Sequence, residues 1–196
     1  MNKIGRREWL KKIIVLACVI VLAACDETKQ QTLTISYNSP QQIEPLTRLN
    51  RDNPSVTVRS NEGPLDKGKI VFVPVYSHIY HGDRQEPFLL TITLSIRNTS
   101  LTKSLVVRSI RYYNSAGKLV KQSGEGNLQI APLAAAAFYI PQQDVSGGSG
   151  ASFIVEWVTD EKAITEPVIE AVMISTSFQQ GVSFTSTGKV IGQIKP

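Results

Sequence analysis

The chain's two histidines, His78 and His81, stand three residues apart, with Asp83 two residues further on. Paired imidazoles beside a carboxylate form a donor set for Zn or Cu. On a strand, residues i and i+3 point to opposite faces, so one ion reaches both rings only across a turn. Gly82-Asp83 has the composition of such a turn. Two hydrogen-bonded loop histidines that shape the turn account for the same residues without any metal. Glu156, beside Trp157, is a candidate third ligand, although an outward acid on a strand is the ordinary case.

Two further groups could bind or react. Gly147-Gly148-Ser149-Gly150-Ala151 comes within one residue of the G-x-S-x-G nucleophile elbow, but Ala151 replaces the final glycine. No strand–turn–helix context surrounds it, so Ser149 reads as part of a bending or rim loop, not as a nucleophile. Arg97, Arg108 and Arg111 fall on neighbouring expected strands and could line an anion-binding patch, or simply be solvated. With Tyr80, which sits between the histidines, Arg97, Arg111 and Ser149 make up the candidate binding residues. No Walker loop, dinucleotide glycines, HExxH or EF-hand pattern occurs, and no enzyme is expected.

Cys25 carries a different chemistry. It follows Leu22-Ala23-Ala24, behind a basic segment (Lys3, Arg6, Arg7, Lys11, Lys12) and an apolar run over 13–24. Basic, then apolar, then small is the layout of a cleaved export signal. The cysteine at its end matches the bacterial lipobox, whose thiol is acylated before the chain is cut ahead of it. The apolar run has 12 residues, short of the ~20 that span a bilayer. Two or more acyl chains hold a protein stably at a membrane. Gly5-Arg6-Arg7-Glu8-Trp9-Leu10-Lys11 resembles the twin-arginine motif and also fits an ordinary basic leader, so both export routes stay open. Asp26 resembles the inner-membrane retention signal of enteric bacteria. The expected location is the cell envelope, at the periplasmic face of the inner membrane.

Cleavage also changes the electrostatics. Of 21 Lys and Arg and 16 acids, residues 1–24 hold five and one, leaving 16 basic against 15 acidic. That balance leaves no footprint for nucleic acid. Cys18 departs with the leader, so the folded part carries neither free thiol nor disulfide.

The rest of the chain must position these groups. From 26 to 67 it is rich in Gln, Asn, Thr, Ser and Pro without sustained periodicity, and reads mostly as a flexible tether. Leu33-Thr34-Ile35-Ser36-Tyr37 could be a stray strand within it. Beyond Gly68 the texture changes. Ile70-Val71-Phe72-Val73-Pro74-Val75-Tyr76 is β-branched and aromatic, and its proline suggests an edge strand or a bulge. Leu90, Ile92, Leu94 and Ile96 alternate with polar residues, and Asn98-Thr99-Ser100 closes that run. A hairpin turn falls at Asn114-Ser115-Ala116-Gly117-Lys118. Phe153, Val155 and Trp157 share one strand face, with Trp157 expected in the core. The expected fold is all-β: an antiparallel immunoglobulin-like β-sandwich of seven to nine strands over 68–196, after a signal peptide (1–24) and a lipidated tether (25–67).

Resemblance sharpens this reading. Val73-Pro74-Val75-Tyr76-Ser77-His78-Ile79-Tyr80-His81-Gly82-Asp83, the run from Gly147 through Trp157, and Gln180-Gly181-Val182-Ser183-Phe184 resemble a bacterial lipoprotein family, domain of unknown function 3124. The resemblance spans about residues 68 to 192 and implies a fold and an envelope location, but no catalytic residue. The expectation is a non-enzymatic, lipid-anchored envelope protein that recognises a protein partner or ligand. Its contact surface would be the edge strands and the loop over 77–83. The alternative is a metal-binding envelope protein using His78 and His81.

Overall fold

The computed structural model describes residues 43–60, 65, 67–81, 86–159, 165–176 and 181–194. Cys25, Asp83 and the 33–37 segment lie outside them. The larger sheet holds eight strands. Its spine is formed by β4 (Lys67–Val75), β8 (Leu105–Tyr113) and β12 (Ala151–Thr159). The short strands β1 (Glu44–Pro45), β3 (Val56–Val58), β9 (Leu119–Gln122) and β10 (Leu128–Ile130) and the edge strand β15 (Lys189–Ile194) complete it. The second sheet has five strands: β2 (Thr47–Leu49), β7 (Thr91–Arg97), β11 (Ala135–Ile140), β13 (Val168–Ser175) and β14 (Val182–Thr187). A separate hairpin pairs β5 (His78–His81) with β6 (Glu86–Leu89). All pairings are antiparallel except the two-residue β1–β9 contact.

Period-two alternation builds the core between the sheets. Ile92, Leu94 and Ile96 of β7 are fully buried, as are Phe153 and Val155 of β12, and all join one apolar cluster with Val73, Ile110 and Phe138. Burying each such side chain contributes about 1.5–3 kcal/mol. Trp157 is in that cluster, with its indole N–H unpartnered among the described residues.

Among the described residues the strands number fifteen, more than the seven to nine expected. Four of the additional pieces (β1, β2, β3 and β10) have only two or three residues. Such pieces are too short to display a period, and β1, β2 and β3 lie within the stretch read as tether. They are ordered by single anchors: Leu46 and Val56 are buried in the common core. β4 is not an edge strand either, since it lies between β12 and β15. Its proline is tolerated because β15 reaches only as far as Phe72, leaving Pro74 paired with β12 alone.

Two corners are fixed by polar side chains. Asn98 is buried; its amide donates to the carbonyls of Lys103, Ile130 and Ala131, and its Oδ1 accepts from Ser100 N. The Asn114 Oδ1 accepts from Ala116 N and Lys118 N, closing the expected hairpin turn with Gly117 at φ 74°.

Candidate recognition site

The β5–β6 hairpin hydrogen-bonds into neither main sheet. It is nevertheless tied to the core through Ser77, which is fully buried. Ser77 N donates to Gly148 O at 2.9 Å, and Ser77 O accepts from Leu90 N at 2.9 Å. Its hydroxyl lies 2.9 Å from the Tyr112 hydroxyl. Tyr112 packs on Phe153 with ring centroids 4.9 Å apart. Burial pushes the Tyr112 phenol up to about 12, against a lowering effect of the Ser77 hydrogen bond.

Register then sorts the hairpin into two faces. His78 opposes Leu89 and Tyr80 opposes Pro87, while Ile79 opposes Phe88 and His81 opposes Glu86. Directly opposed residues share a face. Ile79 and Phe88 turn inward onto the common core. His78, Tyr80, Pro87 and Leu89 form the outward face. There the His78 ring stands edge-on to Tyr80 at 5.3 Å, and Tyr80 is 58% exposed. His81 sits edge-on to Phe88 at 5.7 Å on the inward side.

The two histidines are therefore on opposite faces of one strand. The turn that would bring both rings to one ion does not begin before residue 82, since β5 runs through His81. Among the described residues no group of three or more His, Cys, Asp and Glu is placed to hold a metal. Glu156 is engaged elsewhere, in an ion pair with Arg111.

The glycine-rich segment, by contrast, belongs to this site. Residues 148–150 form a 3-10 turn that packs against β5 and leads into β12. The Ser115 hydroxyl donates to Gly147 O at 3.0 Å and accepts from Gly150 N at 2.9 Å. A Cβ on Gly147 would lie 1.8 Å from the Tyr112 hydroxyl oxygen and 2.6 Å from Ser77 Oγ. Glycine is required there for space, and at Gly148 for its φ of 74°. Ser149 is exposed on this turn, with a strand and no helix behind it. Sequence reasoning did not reach the Ser77–Tyr112–Gly147 cluster; the glycine run was its one visible sign.

The arginines are dispersed. Arg97 is on β7 in the smaller sheet, whereas Arg108 and Arg111 are on β8 in the larger one. The β7–β8 connection crosses between sheets, so strands adjacent in sequence are not neighbours here. Arg97 pairs with Glu170 at 3.3 Å, Arg111 with Glu156, and Arg108 donates to Leu65 O. Each cation is matched by an acceptor, which argues against a shared anion patch. A cleft of about 430 Å³ opens beside β3 and β10, lined by Thr57, Arg59, Lys103, Ser104 and Gln129 among others. Its lining is mainly hydroxyl and charged, unlike the apolar walls that bury most small ligands.

The described parts of two resemblance-bearing segments, 73–81 and 147–157, thus meet at this end of the molecule. Comparison with curated proteins finds no match. Among solved structures, the crystal structure of Thermotoga maritima 1070 is similar at 13% identity and a TM-score of 0.41, covering 63% of this chain and 95% of that one. The family described as Protein of unknown function (DUF3124) matches residues 68–191, more than half of the chain. The chain belongs to that family.

Proposed function

We propose that this protein is a lipid-anchored cell-envelope protein, held through Cys25, whose β5–β6 hairpin recognises a protein partner. The observation that carries the reading is the hairpin's outward face. Tyr80 is 58% exposed beside His78, Pro87 and Leu89, on a hairpin clamped to the core by Ser77. Amphipathic aromatic side chains on a preorganised support give contact area at low entropic cost. No catalytic constellation competes with this among the described residues.

Cross-linking in intact cells followed by purification tests the reading. An envelope protein recovered with the wild-type chain is expected to be lost with Tyr80→Ala. Recovery unaffected by that change would refute the hairpin as the contact surface. Cys25→Ser should release the processed chain from the membrane fraction; full retention would refute the anchor. Stoichiometric Zn or Cu that disappears in the His78→Ala/His81→Ala double variant would favour the metal-binding reading instead.

A further inference from the structure

Strand edges expose unpaired N–H and C=O groups, and stable proteins blunt them with charge, proline, bulges or brevity. Among the described edge strands nearly every one carries such a device. β1 is two residues long and contains Pro45; β2 and β3 are three residues each, and β2 holds Arg48 bound to Glu125 at 2.6 Å. In the hairpin, β6 contains Glu86 and Pro87, and β5 contains two histidines. β15 begins at Lys189 and is bulged between Val190 and Gly192.

β14 has none of these. Its sequence is Val182-Ser183-Phe184-Thr185-Ser186-Thr187, six residues without charge or proline. It pairs with β13 in unbroken register from Ser175↔Val182 to Glu170↔Thr187 and forms one end of the five-stranded sheet. Phe184, packed at 6.1 Å from Tyr76, fixes its inward face. Gly188 fixes its end: its N–H donates to Ile169 O at 2.8 Å as the chain crosses to the other sheet. The result is an unbroken six-residue edge of about 20 Å at ~3.4 Å per residue.

We propose that β14 pairs antiparallel with β14 of a second copy of this chain. The strand is self-complementary. A two-fold axis at Thr185 sets Thr185 against its counterpart, Ser183 against Thr187 and Phe184 against Ser186. Inward residues then meet inward residues, and hydroxyl side chains pair across the outer face without any charge conflict. The two five-stranded sheets become one ten-stranded sheet. Its new ends are the two copies of β2, short and guarded by Arg48, so growth stops at the dimer. This contact is separate from the hairpin and does not depend on its role.

The full chain, solubilised in density-matched detergent, is expected to sediment as a dimer at tens of micromolar. Thr185→Lys, which places two ammonium groups face to face, should yield the monomer with an unchanged circular dichroism spectrum. In native membranes, mild oxidation of the Thr185→Cys chain should give a disulfide between two position-185 peptides, identified by mass spectrometry. Lys118→Cys, in an exposed turn, should give none. A wild-type monomer at these concentrations would overturn the proposal, and that measurement needs no variant. Absence of the 185–185 disulfide, or a foreign chain linked to position 185 in its place, would overturn it as well.

Discussion

The Ser77 and Tyr112 hydroxyls meet at 2.9 Å in the core, joining the foot of the exposed hairpin to a central strand of the larger sheet. The contact makes the hairpin an extension of the core and not a loose appendage. Gly147 completes it by leaving room where any side chain would displace the tyrosine.

Substitutions in this cluster should therefore cost more than their size suggests. Gly147→Ala forces its Cβ against the Tyr112 hydroxyl, combining overpacking with loss of a buried hydrogen bond, an expected cost of about 3 kcal/mol. Ser77→Ala leaves the phenol unpaired in the core and should cost about 1–3 kcal/mol. Urea unfolding midpoints measure both; a Gly147→Ala change below about 0.5 kcal/mol would contradict the packing described.

The same burial predicts an alkaline limit. Burial raises the Tyr112 pKa to about 12, so between its ordinary value near 10 and that point the folded state keeps a proton that the unfolded chain loses. The contribution is fully present below about pH 10 and disappears as pH rises through 12, amounting to about 3 kcal/mol. Lys121 adds in the same direction. Burial opposes its charge, but pairing with Glu44 and Asp144 outweighs this and holds the ammonium above its usual range. Unfolding free energies measured from pH 8 to 12 should thus fall less steeply in Tyr112→Phe, without becoming flat.

At the acid end the sign reverses. Burial raises the Asp144 pKa, yet hydrogen bonds from Ser146 and Lys121 prevail and leave it lowered. Its stabilisation is present above about pH 4 and is lost as pH falls through the depressed value. Asp144→Asn should reduce the acid dependence of stability between pH 5 and pH 2, read by thermal melts.

Asn98 holds a corner with one amide against three carbonyls. Asn98→Ala should cost about 2–4 kcal/mol. Asn98→Asp should cost more, because it turns a buried donor into an acceptor facing acceptors. Equal stability of the two variants would contradict the assigned contacts.

Leu133 has a φ of 58° and is 67% exposed, so its side chain brings strain without compensating burial. Stability should rank Gly above Leu above Val at this position, with steps of about 0.5–1 kcal/mol in melting experiments.

What the sequence disclosed follows from how locally each feature is encoded. Ile92, Leu94 and Ile96, or Phe153, Val155 and Trp157, declare their faces by alternation alone, and Asn114 with Gly117 declares its turn. Pro74 misled because an edge position can be local, created where β15 stops beside a strand that is otherwise internal. Leu46 and Val56 were hidden in a polar stretch because strands of two or three residues have no measurable period. At the site, His78, Tyr80 and Ser149 were visible as residue types. His78 and His81 are separated because β5 continues as a strand through His81, where a turn was the alternative. The crossing that sends Arg97 and Arg111 to different sheets depends on pairings between distant segments.

Photo-cross-linking from position 80 in intact cells tests the proposed recognition surface most directly. With the photoreactive residue replacing Tyr80, a discrete adduct with one envelope protein is predicted, absent when the same residue replaces the exposed Leu101 outside the hairpin. Equal labelling from both positions, or none from position 80, would contradict the account.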